Sequence, residues 1–257
     1  MAKFVPVSRQ HHSSRSWIRP VNYDFAARDA FCPLAGLEIA AAATSYPIAF
    51  MKVAEAYQPI AVLAQSAGTN LYLAPNGTWV PGRYVPSLIR VYPFRLLSAE
   101  DKSSMVLCVD ESSGLVQDGN NGEPFFHPDG QVAPALANIA RLLEAAARSR
   151  LSLEPALASL AAAGLMVPWE QADAPEPSKG GLYRIDERRL RSLDDASFGA
   201  LRHNNALPLA YAQLLSMSNL DMLAQLAVAR TRAGEAASGD TLNQMFGGQV
   251  EQVLRFD

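Results

Sequence analysis

Cysteine is scarce in this chain. Only two of its 257 residues are cysteines, Cys32 and Cys108, and neither belongs to a CxxC pair. Small secreted proteins stabilised by disulfides carry more cysteines, and structural zinc sites usually combine CxxC pairs with histidine. The composition argues against both classes. We expect two buried thiols that behave as small apolar groups, and a disulfide between them stays open as an alternative.

Excess charge and long apolar runs are also missing. The formal net charge is −3, without the clustered cations that nucleic-acid binding requires, so we expect no nucleic-acid partner. The most apolar stretch, 33–53, contains Glu38, Pro47 and Lys52, and the N-terminus lacks the apolar core of a signal peptide. The sequence therefore predicts a cytoplasmic protein without direct membrane insertion.

The common catalytic motifs are absent too. The chain contains no GxSxG, GxGxxG, GxxxxGK[ST] or HExxH sequence, which are the signatures of hydrolases, dinucleotide and phosphate loops, and zinc proteases. Its four histidines are His11, His12, His127 and His203. No catalytic residue can be named from motifs, and we expect neither a protein-built metal site nor a bound cofactor.

Apolar residues make up 49% of the chain, enough for a buried core. In the first half, alternating or continuous apolar runs predict strands. The predicted strands are 46–53, 60–65, 104–110 and, more weakly, 123–127. Asn76-Gly77 predicts the turn of a hairpin over 70–80. Segment 26–44 has an alanine-rich centre after Pro33 that is compatible with a helix. Segment 85–91 is ambiguous because Pro86 allows a short helix to begin there.

Helical periodicity dominates the second half. The predicted helices are 133–150, 153–165 and 209–230. A short strand is predicted at 181–185, a loop at 170–181 and a weakly anchored tail at 236–257. The fold class is therefore α+β, with a β-rich half (1–130) that contains hairpins and packs with a mainly helical half (131–235). We expect one domain over 1–257, and a boundary near 128–133 is the alternative.

The most unusual segment is rich in aromatic residues, arginine and proline. Its candidate binding residues are Tyr72, Trp79, Arg83, Tyr84, Arg90, Tyr92 and Phe94. Aromatic residues beside arginine are favoured at partner-binding surfaces, because they combine large contact area with directional polar groups. The alternative interpretation is that these aromatic rings form part of the core.

Glu38 lies within an apolar stretch, where an unpaired carboxylate is costly. An ion pair with Arg90 would neutralise it. We therefore predict a buried Glu38–Arg90 ion pair with a structural role.

The sequence resembles the SapC family, a bacterial group of about this length. The similarity includes Tyr23-Asp24-Phe25-Ala26, Tyr46-Pro47-Ile48-Ala49-Phe50 and Gly181-Leu182-Tyr183-Arg184-Ile185. Its most specific block is Tyr84-Val85-Pro86 followed by Ile89-Arg90 and Tyr92-Pro93-Phe94. The resemblance extends over nearly the whole chain.

The resemblance implies an accessory role rather than a defined reaction. Members are often encoded beside TonB-dependent receptors, halogenase-like proteins and oxygenases, so these are the expected partners in an uptake or modification system. A non-catalytic binding protein that recognises a protein, a peptide or a small ligand is favoured. The alternatives are an enzyme that uses Glu38, Asp110 and His127 for acid–base chemistry with Arg90 holding a substrate, and a structural protein of the surface layer.

Overall fold

The computed structural model describes residues 3–65, 68–99, 104–169 and 181–246, with 234–246 as backbone only. Strands lie mostly in the N-terminal half and helices in the C-terminal half, which confirms the α+β class. The strands are β1 (Phe4–Pro6), β2 (Arg15–Trp17), β3 (Phe31–Pro33), β4 (Ile48–Val53), β5 (Ala56–Val62), β6 (Phe94–Ser98), β7 (Met105–Asp110), β8 (Val116–Asp118), β9 (Glu123–Pro124), β10 (Met166–Pro168) and β11 (Leu182–Ile185). The α-helices are α1 (Arg9–His12), α2 (Ile39–Ala43), α3 (Ser87–Arg90), α4 (Pro134–Leu151), α5 (Glu154–Ala162), α6 (Glu187–Arg191), α7 (Asp195–His203), α8 (Ala206–Ser216) and α9 (Leu220–Phe246).

The described strands form three antiparallel sheets. The largest has the order β10-β11-β4-β5-β3, and the two smaller sheets have the orders β1-β7-β6 and β8-β2-β9. Strand β11 from the second half pairs with β4 from the first, with Leu182 opposite Met51. The two halves of the chain are thus interleaved, as the 181–185 strand predicted, while the extent of the domain stays a prediction.

The best-formed hairpin is not the one that the sequence indicated. In 70–80, Leu73 and Trp79 form only an isolated bridge, although Gly77 does turn the chain with a φ of +76°. The long hairpin is β4–β5, where six residue pairs are in register. Its turn contains Ala54 at a φ of +53°, a conformation that non-glycine residues seldom adopt. Because this turn contains neither Gly nor Asn, no sequence signal indicated a hairpin there.

Segment 26–44 is only partly helical. It begins at the last residue of the 3-10 turn Asp24–Ala26 and contains strand β3, a second 3-10 turn at Gly36–Glu38 and the short helix α2. Phe31, Cys32 and Pro33 pair with Val62, Ala61 and Ile60 of β5. Strand β3 thus precedes the helix-compatible centre after Pro33, and that centre is confirmed as helical by the 3-10 turn at Gly36–Glu38 and by α2.

The predicted helix 209–230 is interrupted. Helix α8 ends at Ser216, a 3-10 turn follows at Met217–Asn219, and α9 begins at Leu220. The Asn219 amide donates to the carbonyls of Ala43 (2.8 Å), Tyr46 (3.2 Å) and Ser216 (3.0 Å). These bonds link the break to the first half of the chain.

Helix α4 begins with Pro134 in its first turn and buries Leu136, Leu143 and Ala146, in agreement with the predicted helix at 133–150. The structure also contains α7, which the sequence analysis missed. The predicted loop 170–181 lies outside the described residues except for Gly181, and so does the end of the chain after 246.

Two apolar clusters form the interior. The larger cluster joins residues of both halves, among them Phe50, Ile60 and Leu209. The smaller one packs Trp17, Phe94 and Phe125 against Leu136 and Leu143 of α4. Both cysteines are buried and free, as expected from the composition.

Candidate functional site

Three of the predicted binding residues belong to the core. Tyr72 and Phe94 are 0% exposed and Trp79 is 7% exposed. The Tyr72 hydroxyl donates to the Ser45 carbonyl at 2.8 Å, and the Trp79 indole donates to the Tyr46 hydroxyl at 3.0 Å. Their polar atoms are therefore satisfied inside the protein, and the prediction that these three rings form a binding surface is wrong.

Arg83, Tyr84 and Arg90 lie nearer the surface. The Tyr84 ring lies under the Arg90 guanidinium, 5.4 Å from the ring centroid. The Arg83 guanidinium approaches the Thr44 carbonyl at 3.5 Å and the Met222 sulfur at 3.8 Å. None of these three residues lines the cavities described below.

The predicted Glu38–Arg90 ion pair is not observed among the described residues. Glu38 is 1% exposed, and its carboxylate accepts hydrogen bonds from the Ser87 N–H (2.6 Å), the Ser87 hydroxyl (2.9 Å) and the Tyr84 hydroxyl (2.8 Å). The Ala35 N–H adds a fourth at 3.1 Å. Arg90 reaches only the Tyr84 hydroxyl, at 3.2 Å. Neutral donors thus stabilise the buried carboxylate, with Tyr84 between the two charges.

Burial, followed by the hydrogen bond to Glu38, raises the pKa of Tyr84 to about 12. The Glu38 network joins the 3-10 turn at Gly36–Glu38 to the start of α3. Since every carboxylate oxygen already accepts two hydrogen bonds, this cluster is a structural tie.

A cleft with two adjacent compartments lies beside this tie. The charged compartment has a volume of about 510 Å³ and the apolar compartment about 360 Å³. Gln58, Leu88, Leu96 and Arg150 line both. Volumes on this scale are typical of small-ligand sites.

The charged compartment lies between the β1-β7-β6 sheet and the segment that leads into β3. Its charged lining residues are Asp29, Arg95, Asp110 and Arg150. Tyr92, the remaining predicted binding residue, also lines it, and its ring stacks on Phe25 with centroids 4.0 Å apart. The Arg95 guanidinium lies 5.0 Å from the centroid of Phe4.

The carboxylates of this compartment differ in their surroundings. Asp29 is exposed as a whole residue, but partial desolvation of its carboxyl group raises its pKa, and the Arg95 charge opposes the change. For Asp110, desolvation is outweighed by hydrogen bonds from Ser112, the Lys3 N–H and Tyr92, so its pKa is lowered. The Tyr92 hydroxyl donates to Asp110 at 2.9 Å. Burial, then this bond, raises the pKa of Tyr92 to about 12.

The apolar compartment lies between the β4–β5 hairpin, β6–β7 and the end of α4. Its lining includes Val53, Met105, Leu143, Ala147 and Leu151. Val53 and Met105 are each 51% exposed and Leu151 is 62% exposed. Exposed side chains of this size, grouped at one opening, are a common feature of binding sites.

The proposed acid–base residues are not brought together. Asp110 lines the cleft, whereas Glu38 and His127 do not, and His127 is exposed in the turn before α4. No hydrogen bond or ion pair joins any two of the three within the described ranges. The Cys32 thiol also lines the charged compartment, but burial, with the negative charges of Glu38 and Asp29, raises its pKa.

Sequence reasoning missed most of the cleft. Asp29, Gln58, Arg95 and Arg150 come from four separate segments, and none belongs to a motif. A cluster of three or more His, Cys, Asp or Glu side chains able to hold a metal ion is not found among the described residues. In the same part of the chain, no helix combines the length and apolarity needed to cross a membrane.

The chain matches a model of a known protein family. The SapC family model matches residues 7–223, which is most of the chain. Neither a curated protein nor a solved structure matches it. The family match agrees with the block from Tyr84 to Phe94, whose residues connect the Glu38 tie, α3 and the first residue of β6. On the extent of that match, the chain belongs to the SapC family.

Proposed function

We propose that this SapC-family chain is a non-catalytic binding protein and that the two-compartment cleft is its ligand site. The observation that carries the proposal is that an apolar and a charged compartment lie side by side and share four lining residues. A ligand with an apolar part and a charged part would satisfy both compartments at once.

The state of the reactive groups favours binding over catalysis. A general base needs a free lone pair and a pKa near the working pH. Glu38 accepts four hydrogen bonds, and Asp110 is held by its donors with a lowered pKa. The Cys32 thiol has a raised pKa, which disfavours the nucleophilic thiolate. The cleft supports recognition through shape and charge.

The ligand site is tested with anilinonaphthalene sulfonate, a fluorophore that has aromatic rings and one negative charge. We expect saturable fluorescence enhancement with the folded protein. Ala147→Trp places an indole in the apolar compartment and should weaken binding at least about tenfold, since binding depends on the apolar space. Ala158→Trp on the exposed side of α5 is the matched control and should bind as the unmodified protein does.

Equal binding by both variants would overturn the proposed site. Because this fluorophore also binds partly unfolded proteins, each variant must first show a cooperative unfolding transition. An Ala147→Trp variant that does not unfold cooperatively is replaced by Ala147→Phe, which fills the same compartment with a smaller ring.

The accessory role in an uptake or modification system is part of the same proposal. It rests on family membership, and an oxygenase, a halogenase-like protein or a TonB-dependent receptor is the expected partner. Binding of one such purified partner should be retained by Ala158→Trp and lost in Ala147→Trp. Equal binding of the partner by both variants would show that the partner does not bind at the cleft.

A further inference from the structure

Strand β6 has an open edge at the junction of the two compartments. It is the last strand of the β1-β7-β6 sheet, so β7 covers only one of its sides. Two main-chain hydrogen bonds show which residues of β6 bond to β7. The Asp110 N–H donates to the Pro93 carbonyl and the Ala99 N–H donates to the Ser104 carbonyl, both at 2.9 Å, and every second residue between Pro93 and Ala99 bonds in the same way. In that alternation, Arg95 and Leu97 bond to β7, and the main-chain N–H and C=O of Leu96 point away from it.

Leu96 is therefore an available pairing position. Within the described residues, no hydrogen bond engages its main-chain groups. Leu96 lines both compartments. A strand edge with unpaired main-chain groups is a template for a further strand.

The two compartments lie on opposite faces of this sheet. Residues opposite each other in an antiparallel ladder share a face, and neighbours along a strand alternate. Phe4, Asp110 and Arg95 share one face by their register, and they line the charged compartment. Leu96 and Met105 point to the other face, where the apolar compartment lies.

We infer that the ligand is an extended peptide segment of a partner protein, which adds to the edge of β6 as a further strand. Its main chain pairs with Leu96, and its successive side chains enter the apolar and the charged compartment in turn. Main-chain bonds supply affinity in this mode, and the pockets for alternate side chains supply specificity. The inference deepens the proposed binding function and rests on it.

The charges define the polar positions of this peptide. Neither Arg95 nor Arg150 forms an ion pair with an acidic side chain in the described part of the chain, while Asp110 is already held by Tyr92 and Ser112. Asp29 is the opposing charge that remains open. The charged compartment thus holds two cations and two anions. Asp110 is occupied by its donors, whereas no hydrogen bond within the described residues occupies the guanidinium group of Arg95 or Arg150, so these two groups favour a carboxylate on the peptide. The peptide therefore alternates apolar residues with polar ones, at least one of them Asp or Glu.

Two pools of blocked heptapeptides test the inference. Both contain leucine, phenylalanine, serine and glutamate in the same proportions. In one pool apolar and polar residues alternate, and in the other they are grouped in two blocks. The immobilised protein should enrich the alternating pool at least about fivefold. Equal recovery of the two pools overturns the inference.

The main-chain contact is tested on both partners. Leu96→Pro removes the outward N–H without removing a bond to β7, and proline is tolerated on edge strands. Leu96→Ala is the matched control, since it shortens the side chain but keeps the N–H. The best alternating peptide should bind Leu96→Pro about tenfold more weakly than Leu96→Ala. Equal affinities overturn the inference.

If Leu96→Pro does not fold, methylation of the peptide nitrogens gives the same information with the unmodified protein. Methylation in one alternate register should weaken binding about tenfold, and methylation in the other should leave it nearly unchanged. Equal effects in both registers overturn the inference. Saturable fluorophore binding in the cleft without enrichment of alternating peptides also overturns it, yet leaves the proposed binding function standing. Failure of both measurements removes both proposals.

Discussion

Replacing Glu38 by glutamine should destabilise the protein even though the side chain keeps its shape. One carboxylate oxygen accepts from the Ser87 N–H and the Tyr84 hydroxyl, and the other accepts from the Ser87 hydroxyl and the Ala35 N–H. In Glu38→Gln, an NH₂ group replaces one oxygen. The hydroxyl hydrogens can rotate, but a main-chain N–H cannot. In either orientation of the glutamine amide, its NH₂ group therefore faces a main-chain N–H, that of Ser87 or that of Ala35, and this N–H loses its acceptor.

An orphaned buried N–H costs about 1–3 kcal/mol, so we expect Glu38→Gln to lower the free energy of unfolding by about 2 kcal/mol. In a chain of this length that corresponds to a fall of roughly 5 °C in Tm. Urea unfolding followed by circular dichroism measures the change. Glu55→Gln is the control, since the Glu55 side chain is 94% exposed, and it should change stability by less than about 0.5 kcal/mol. A Glu38→Gln variant as stable as the Glu55→Gln control would refute the reasoning.

The same assay distinguishes the observed network from a direct ion pair. Arg90 does not bond to Glu38, so Arg90→Met should cost less than about 1 kcal/mol. Breaking a buried ion pair would cost about 3–5 kcal/mol. Tyr84→Phe removes one real donor to Glu38 and should cost about 1 kcal/mol. A loss on Arg90→Met as large as for a buried pair would reinstate the direct interaction.

Three further outcomes follow from single contacts. Burial lowers the pKa of His12, so the unfolded state binds a proton more readily than the folded state below about pH 6.5. The urea midpoint of unfolding should therefore fall from pH 7.5 to 5.5, and His12→Gln should reduce this dependence of the midpoint on pH. An unchanged dependence would assign it to other groups. Gly77→Ala should cost about 1 kcal/mol more than Gly82→Ala. Both glycines have positive φ, but only at Gly77 would a Cβ lie 2.5 Å from the Asp24 carboxylate, so that the Asp24 side chain must move away from its hydrogen bond with Asn22. Equal losses of unfolding free energy would remove the steric explanation. Gln213→Leu should lower the free energy of unfolding by about 2–4 kcal/mol in the same assay. The buried amide of Gln213 accepts from the Ile185 N–H at 3.0 Å and donates to the Ile48 carbonyl at 3.1 Å, and leucine leaves both main-chain groups without these bonds. A loss below about 0.5 kcal/mol would show that these bonds contribute little.

Local sequence signals predicted the helices and strands better than they predicted the contacts between side chains. The apolar stripe at 133–150 and the short apolar run at 181–185 were enough to predict α4 and β11, since periodicity is a local property. The aromatic segment shows the limit of such signals. Tyr72 and Tyr92 are the same residue type in the same segment, yet one is sealed in the core and the other lines the cleft. Which side a ring faces depends on elements distant in the chain.

The sequence predicted that the buried carboxylate needs stabilising partners, but it did not predict which residues those partners are. The carboxylate of Glu38 did require compensation, as its apolar surroundings indicated. The sequence could not show that main-chain N–H groups and hydroxyls at Ser87 and Tyr84 supply it in place of Arg90. Ser87 is the first residue of α3 and Tyr84 precedes that helix, and both contact Glu38 at the end of the 3-10 turn Gly36–Glu38.

The sequence by itself determined the family, the α+β class, the buried cysteines and the main periodic elements, because each is set by composition or by neighbours along the chain. Only the tertiary structure decided the cleft. Asp29, Gln58, Arg95 and Arg150 lie far apart in sequence and carry no motif, and they line one site because two sheets and α4 meet there. The open edge of β6 likewise exists only where the sheet order ends, since pairing between strands is a non-local property of the folded chain.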